Sequence, residues 1–281
     1  MPLSGTPLRR AVTDARVVAL RDGDRRELPD HLATEEPLEI RVGGPGQEPV
    51  RVAVTMRTPG SDFELAAGFL HTEGVVRSGN EIARVAYCDL PPEEQQYNVV
   101  TVRLRHSFDP SVLQRNFYAS SSCGICGKAS LEQIEVHCAP LPEGPVVTAS
   151  AIRSLPDALR EGQRIFARTG GLHATGVFDT DGTLLALRED VGRHNAVDKV
   201  VGQALLGGQV PLWDRIIQVS GRLSFEIVQK AAVAGVPIVC AVSAPSSLAV
   251  AAGQHLGMTV VGFVREGGFN VYAHPERIVT R

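Results

Sequence analysis

The sequence predicts an α/β protein with a strand-rich N-terminal region and a C-terminal half in which a mixed sheet is covered by helices. Three observations carry this. Short runs with period-two alternation dominate residues 16–104, strands and helices alternate strictly over residues 215–264, and Pro140, Pro142 and Pro145 punctuate the chain between them. The boundary is therefore placed near residue 145, giving parts 1–145 and 146–281.

In chain order, residues 16–20 form a strand that Asp22-Gly23-Asp24 turns, and residues 37–42 and 50–56 alternate on either side of Gly43-Gly44-Pro45-Gly46. Gly-Gly-Pro-Gly between alternating runs is hairpin chemistry rather than a phosphate cradle. A helix capped by Ser61 or Asp62 follows, with Phe63, Ala66, Ala67 and Leu70 on one packing face. Residues 84–88 and 99–104 are two further strands, and Cys88 at a strand end reads as a small buried hydrophobe.

Beyond residue 145, a helix spans 154–167 with Pro156 in its first turn. Residues 173–178 and 183–188 form a hairpin around Asp179-Thr180-Asp181-Gly182, and residues 195–205 form a helix. Strand, helix, strand, helix, strand then run over 215–219, 224–234, 237–242, 247–256 and 258–264. Short β-branched runs bounded by Gly and Pro are strands buried under helices.

Composition removes several function classes. A formal charge of −3 argues against general nucleic-acid binding, so any anion site must be local. No uncharged apolar run approaches the roughly 18 residues of a membrane span. Arg9 and Arg10 are not followed by the apolar run of an export signal, so the expected location is cytoplasmic. Five cysteines, Cys88, Cys123, Cys126, Cys138 and Cys240, are too few and too irregular for a disulfide framework.

Two of them stand out. Ser120-Ser121-Ser122-Cys123-Gly124-Ile125-Cys126-Gly127-Lys128 holds two thiols two residues apart among small residues, followed by a cation. Residues 128–136 read as a short helix, so its N-terminus and Lys128 would favour thiolate over thiol. A structural zinc would need four ligands, and of the adjacent His137 and Cys138 only one could join the pair, leaving three. A thioredoxin-like pair would follow the first strand of a βαβ unit, unlike this one. A nucleobase deaminase needs H-x-E before P-C-x-x-C, whereas His173 and His194 are followed by Ala174-Thr175 and Asn195-Ala196, and the Cys-x-x-Cys precedes both. Sulfur transfer remains: one thiolate accepts a sulfane sulfur as a persulfide, and the second thiol resolves or relays it.

A second set of residues suits an anion. In α/β units ligands bind beyond the carboxyl ends of the strands, where helix N-termini present free N–H groups. Three segments qualify: Val219-Ser220-Gly221-Arg222, Val242-Ser243-Ala244-Pro245-Ser246-Ser247 and Phe263-Val264-Arg265-Glu266-Gly267-Gly268. Ordinary helix capping competes at each, but the three together favour a nucleotide-like anion. Arg188-Glu189-Asp190-Val191-Gly192-Arg193-His194-Asn195 is another polar cluster, where His194 could orient or protonate a ligand and Asp190 could serve it or cap a helix. His173 is a further candidate, and Asp198-Lys199 reads as a solvated helix face.

With these residues in view, the sequence resembles the formate dehydrogenase accessory sulfurtransferase family over residues 35–273. The likeness rests on Glu36-Pro37-Leu38-Glu39-Ile40, Met56-Arg57-Thr58-Pro59-Gly60, Ala66-Ala67-Gly68-Phe69-Leu70, the Ser-Cys-Gly-Ile-Cys-Gly segment and Gly171-Leu172-His173-Ala174. It continues through residues 189–199, Val219-Ser220-Gly221-Arg222, Ser243-Ala244-Pro245 and Gly262-Phe263-Val264-Arg265. The resemblance implies a cytoplasmic homodimer with a cytidine-deaminase-like C-terminal domain lacking zinc. It implies sulfur passed from a cysteine desulfurase to the bis-guanine-dinucleotide molybdenum cofactor before that cofactor enters formate dehydrogenase. By the same implication Cys123 carries the persulfide, Cys126 assists, and Phe263, Val264, Arg265, Glu266, Gly267 and Gly268 belong to the cofactor site, to which the residue reading adds Ser220, Arg222, Ser243 and His194. The competing expectation is a chaperone that binds the molybdenum cofactor without transferring sulfur.

Overall fold

Alternating runs joined by short Gly-containing turns pair with their neighbours, and the N-terminal half obeys that rule. In the computed structural model, which describes residues 10–88, 91, 94–111 and 140–280, strands β1 (Val12–Arg21) and β2 (Asp24–Ala33) pair around Asp22 and Gly23. Both turn residues have positive φ, 51° and 85°, as a two-residue turn matched to strand twist requires. Strand β2 carries no sequence signal: all its residues but Ala33 are exposed and Pro29 interrupts it, so only its partner strand was legible.

Strands β3 (Glu36–Gly43) and β4 (Val50–Arg57) form the expected hairpin. With β5 (Ile82–Tyr87) and β6 (Val99–Leu104) they make a sheet ordered β4-β3-β6-β5, in which β3 and β6 run parallel. Leu38, Ile40, Val42, Val100 and Val102 pack under Leu65, Ala66, Ala67 and Leu70 of α1 (Asp62–Thr72). Neither candidate cap serves this helix through its side chain. Ser61 occupies the cap position at φ 57° without a side-chain bond. Asp62 accepts instead from Arg57 Nε and Nη2 at 3.0 and 2.9 Å, deep in the core. Cys88, just past β5, is half-buried rather than buried, with its Sγ 3.7 Å from Gln95 Oε1.

After β7 (Val147–Thr148), Thr148 caps α2 (Ala149–Gly162) by accepting from Ala151 N. Pro156 therefore sits inside the helix rather than in its first turn. The buried stripe Ala151, Ile152, Leu155 and Leu159 outweighs the hydrogen bond that the proline forfeits. The helix breaks at Gln163, and a separate α3 (Arg164–Thr169) follows, packed against β2.

The central sheet contains β8 (His173–Phe178), β9 (Leu184–Asp190), β10 (Ile216–Val219), β11 (Ile238–Ala241), β12 (Thr259–Arg265) and β13 (Gly268–Ala273), ordered β13-β12-β11-β10-β8-β9. The middle three are parallel, and β8, β9 and β13 are antiparallel to their neighbours. Helices α4 (Arg193–Leu206), α5 (Phe225–Val233) and α6 (Ser247–Leu256) pack on one face. Helix α2 covers the other, over Phe178, Ile216, Ile238 and Val261. A last short strand, β14 (Ile278–Val279), pairs with β7. Among the described residues no helix is long and apolar enough to cross a membrane.

The N-terminal sheet reaches this core through one helix pair. Helix α1 crosses α4 where Gly68 meets Gly202, so closely that a Cβ on Gly68 would overlap the carbonyl oxygen of Asp198. A Cβ on Gly202 would overlap that of Glu64. Gly68→Ala and Gly202→Ala are each expected to lower unfolding free energy by about 3 kcal/mol or more, since neither backbone can yield. Urea unfolding checks this, and a loss within experimental error would contradict the close crossing.

Candidate functional site

Strands β10, β11 and β12 end together, and the loops beyond them are stitched into one ledge. Leu223 N donates to Ala244 O at 3.2 Å and Ser246 N to Leu223 O at 2.9 Å, which joins the loop leading to α5 with the loop leading to α6. Phe263 N donates to Ser243 O at 3.2 Å and ties in the end of β12. Ser220 fixes the other side: its N–H donates to Ala174 O, and its Oγ accepts from Ala174 N, both at 2.9 Å. Because β8 is antiparallel to β10, this brings His173 to the ledge, its Nδ1 3.4 Å from where a Cβ on Gly221 would sit. Gly221 leaves room for that ring.

Helix α4 starts at the same ledge because β9, paired with β8, ends at Asp190 opposite His173. His194 Nε2 lies 3.2 Å from Oγ of Ser224, the residue that caps α5, and 3.8 Å from Glu226 Oε2. Both neighbours approach the same ring nitrogen, so the three do not form a relay in which an acid orients the base from its far side. Among the described residues, neither Gly192 at the start of α4 nor Ser224 at the start of α5 bonds its helix through a side chain, whereas the Glu226 carboxylate accepts from its own N–H in the first turn of α5. Two positive helix ends thus meet beside His194, and Glu226 partly offsets the one at α5. Arg222 is exposed on the same loop and has no ion pair among the described residues.

Burial holds both histidines below the ordinary value. For His173 the charge of Arg193 pushes the same way and Asp190 opposes; for His194 the leading counterweight is Glu226. Both are therefore neutral at pH 7, each with one donor and one acceptor nitrogen.

The third anticipated segment differs from the expectation of a helix start. Phe263 takes φ 55° within an irregular stretch of β12 and turns its ring outward, 38% exposed, while Val264 is buried in the core under α2. Arg265 pairs with Gly268 across Glu266 and Gly267, so the segment is the tip of the β12–β13 hairpin. The two glycines favour reversal into a strand, and no helix N-terminus lies there. The structure therefore brings Ser220, Arg222, Ser243, Phe263 and His194 to one ledge, extends it with Arg265, Glu266, Gly267 and Gly268, and withdraws Val264. Cys123 and Cys126, the short helix after them, and His137 and Cys138 lie outside the described residues.

The polar motif after β9 is mainly architectural. Asp190 Oδ2 meets Lys199 Nζ at 2.7 Å and accepts from Thr58 N, and its Oδ1 accepts from Gly192 N and from Asn195 Nδ2. Lys199 also donates to Thr58 O at 2.9 Å, and Asn195 Nδ2 to Met56 O at 2.8 Å. Asp198 pairs with Lys230 Nζ at 3.0 Å, and that ammonium also reaches Glu73 at 3.0 Å and Thr72 at 2.8 Å. Asp198 and Lys199 are each 2% exposed, so the expected solvated face is an internal one. The α1–α4 crossing encloses it. Burial works against the charge on Lys230, but Asp198 and Glu73 prevail and hold its pKa above the ordinary value. Glu189 accepts from Ile165 N and Phe166 N at 2.9 and 2.7 Å, fixing the start of α3.

Sequence reasoning missed a cavity of about 560 Å³ on the α2 side of the ledge, lined by Leu159, Arg160, Gln163, Phe166, Leu172, His173, Ser220 and Val242 among others. His173 and Ser220 belong to both ledge and cavity. Arg160 places its Cζ 4.2 Å from the centroid of Phe166. Of its lining, His173, Ser220 and Val242 stood in segments the sequence singled out, whereas Arg160 and Gln163 lie on a helix end indistinguishable from a packing helix.

Two outcomes follow. Asp190→Asn, which leaves Lys199 buried beside a neutral amide, should cost about 3–5 kcal/mol in urea unfolding, whereas replacing both partners by apolar residues should cost less. Because the folded pKa values of His173 and His194 lie below the unfolded value near 6.5, their contribution to stability is intact above that pH and declines as pH falls below it. NMR titration should show both histidines with midpoints below 6.5 and His106, raised by its bonds to Ser107 O and Glu81, above it. Midpoints in the reverse order would contradict the burial of the ledge.

The FdhD/NarQ family model matches residues 33–279. A protein of Mycolicibacterium paratuberculosis named sulfur carrier protein FdhD is 48% identical over 269 residues, covering 94% of this chain and 97% of its own length. The protein of the same name from Streptomyces coelicolor is 49% identical over 278 residues, covering 96% and 97%. The solved structure described as a formate dehydrogenase accessory protein from Desulfotalea psychrophila superposes with a TM-score of 0.75 at 28% identity, covering 96% of this chain and all of that one. With the family pattern running through both sheets and the ledge, the chain belongs to the FdhD/NarQ family.

Proposed function

We propose that this protein is a sulfur carrier for formate dehydrogenase maturation, passing persulfide sulfur from a cysteine desulfurase to the bis-guanine-dinucleotide molybdenum cofactor. The observation that carries the reading is the ledge. It gathers the starts of α4 and α5, exposed Arg222 and two neutral histidines in a chain whose relatives are named sulfur carriers. A pyrophosphate-bearing substrate suits such a surface, because free N–H groups and helix ends favour anions.

In this reading residues 1–145 present the thiols, and residues 146–281, with a cytidine-deaminase-like arrangement, hold the cofactor substrate. Ser220, Ser243, Arg222, His194 and the 263–268 hairpin serve its charged part. The Cys123 thiolate attacks the sulfane sulfur of the desulfurase persulfide. An S–S bond forms on Cys123, the donor's S–S bond breaks, and the donor cysteine leaves as thiolate without net oxidation. Cys126 then attacks Cys123 Sγ, sulfide departs toward the cofactor with the bonding electrons, and the resulting disulfide is reopened by a cellular dithiol. The protein works as a cytoplasmic homodimer.

Intact-mass measurement after incubation with a cysteine desulfurase and L-cysteine tests the first step. A reducible gain of one sulfur, absent from Cys123→Ala, is expected. Absence of the gain in the unsubstituted protein, with nucleotide binding retained, would favour a cofactor-binding chaperone instead.

A further inference from the structure

Single exposed apolar side chains are ordinary, but three of them border one hollow at the end of α4 remote from the ledge. Leu185, 50% exposed, lines it. Trp213, also 50% exposed, stands between the lining residues Leu212 and Asp214, and Leu206, 43% exposed, ends α4 one turn beyond the lining residue Gln203. The hollow has a volume of about 360 Å³, room for one large side chain, and Val177, Leu185, Val200 and Leu212 give it apolar walls. Gln203 is its unsatisfied member: its Oε1 is buried and accepts no hydrogen bond among the described residues. Such an acceptor costs free energy until a donor reaches it, and the soft last torsion of a glutamine lets the oxygen turn to a donor that enters the hollow. Trp213 is held outward by its own loop. Leu212 N donates to Ala234 O at 2.8 Å and Arg215 N to Leu212 O at 3.2 Å, so the backbone on both sides is fixed while the indole stands half in water. An indole N–H is a donor only, and tryptophan is among the residues that most often anchor interfaces.

We infer that two copies of this chain join here about a two-fold axis, the Trp213 indole of each entering the hollow of the other and donating to Gln203 Oε1. The inference rests on the homodimer proposed above and assigns the face that forms it. A two-fold contact must be its own complement. This patch meets that condition twice. It carries both the donor-bearing aromatic and the hollow with the unpaired acceptor, and beside the indole it carries an acid and a base, Asp214 Oδ2 and Arg215 Nη1, 2.6 Å apart. Across the axis Asp214 of one copy faces Arg215 of the partner subunit, so no like charges meet. Gln203 lies about 14 Å along α4 from His194, at 1.5 Å per residue, so pairing through this face leaves both ledges open to substrate.

Sedimentation velocity of the full chain, read together with fluorescence, tests this, because Trp213 is the chain's only tryptophan. The unsubstituted protein should sediment as a dimer at micromolar concentration, with an emission maximum that moves to longer wavelength as dilution separates the copies. Trp213→Ala should raise the dimer dissociation constant about a hundredfold, and Gln203→Leu about tenfold. Asp214→Arg should separate the copies, and adding Arg215→Asp should restore the dimer, a rescue that a folding defect would not show. A dimer unaffected by Trp213→Ala, or one whose tryptophan emission stays constant on dilution into monomers, overturns this contact and leaves the proposed homodimer to another face. A parent that is monomeric at every concentration overturns both. Sulfur loading at Cys123 is measured on the same samples and stands or falls separately from either.

Discussion

The contact between Gly68 and Gly202 sets the terms for the rest of the molecule. With no Cβ on either, the backbones of α1 and α4 touch, and side chains one turn away are forced out of water whether charged or not. Across it Glu64 pairs with Arg188 and Glu73 with Lys230, and Thr72 donates to Asp198, which itself pairs with Lys230 on its own side. Buried ion pairs add little net stability over a well-packed apolar contact, but they tolerate only one alignment. The crossing therefore specifies register more than it supplies free energy.

That register reaches the ledge because α4 both makes the crossing and begins at the site. Within residues 189–199, Glu189 shapes the cavity through α3, and Asp190, Asn195 and Lys199 clamp the strand end at Met56 and Thr58. Asp198 locks α5 through Lys230, and His194 meets the cap of α5 at Ser224. Helix α5 is held at Ser224 and at Lys230, so the distance between the starts of α4 and α5 is fixed by contacts within the protein. In the proposed role, N–H groups presented to an anion gain from such rigidity, because they need no reorganisation on binding.

What could be read from the sequence follows from what periodicity encodes. The β3–β4 and β8–β9 hairpins and the strand-helix alternation after residue 215 were legible because their burial alternates with period two or 3.6. Strand β2 escaped because its side chains are exposed on both faces, and β13 because Gly267-Gly268 after a strand is equally compatible with a loop. At the ledge, Ser220, Arg222, Ser243 and His194 were legible as small or polar residues at strand ends. Asp198 and Lys199 were misjudged because an adjacent acid and base on a helix look solvated unless the glycine crossing four residues on is recognised as a helix contact. Gln163 and Phe166 were beyond reach, since their role depends on where α2 breaks, and Thr148 rather than a residue nearer Pro156 sets where it starts.

The electrostatics of the ledge have a consequence for how it works near neutrality. In the proposed role, its pull on an anion would come from exposed Arg222 and the positive starts of α4 and α5. The two groups that could titrate there, His173 and His194, are held neutral by burial, so neither adds nor withdraws charge as pH moves around 7. The helix-end field and neutral hydrogen-bonding imidazoles suit the proposed role of holding a polyanionic substrate. In the proposed role the ledge binds and orients the substrate, and the thiols supply the reacting groups.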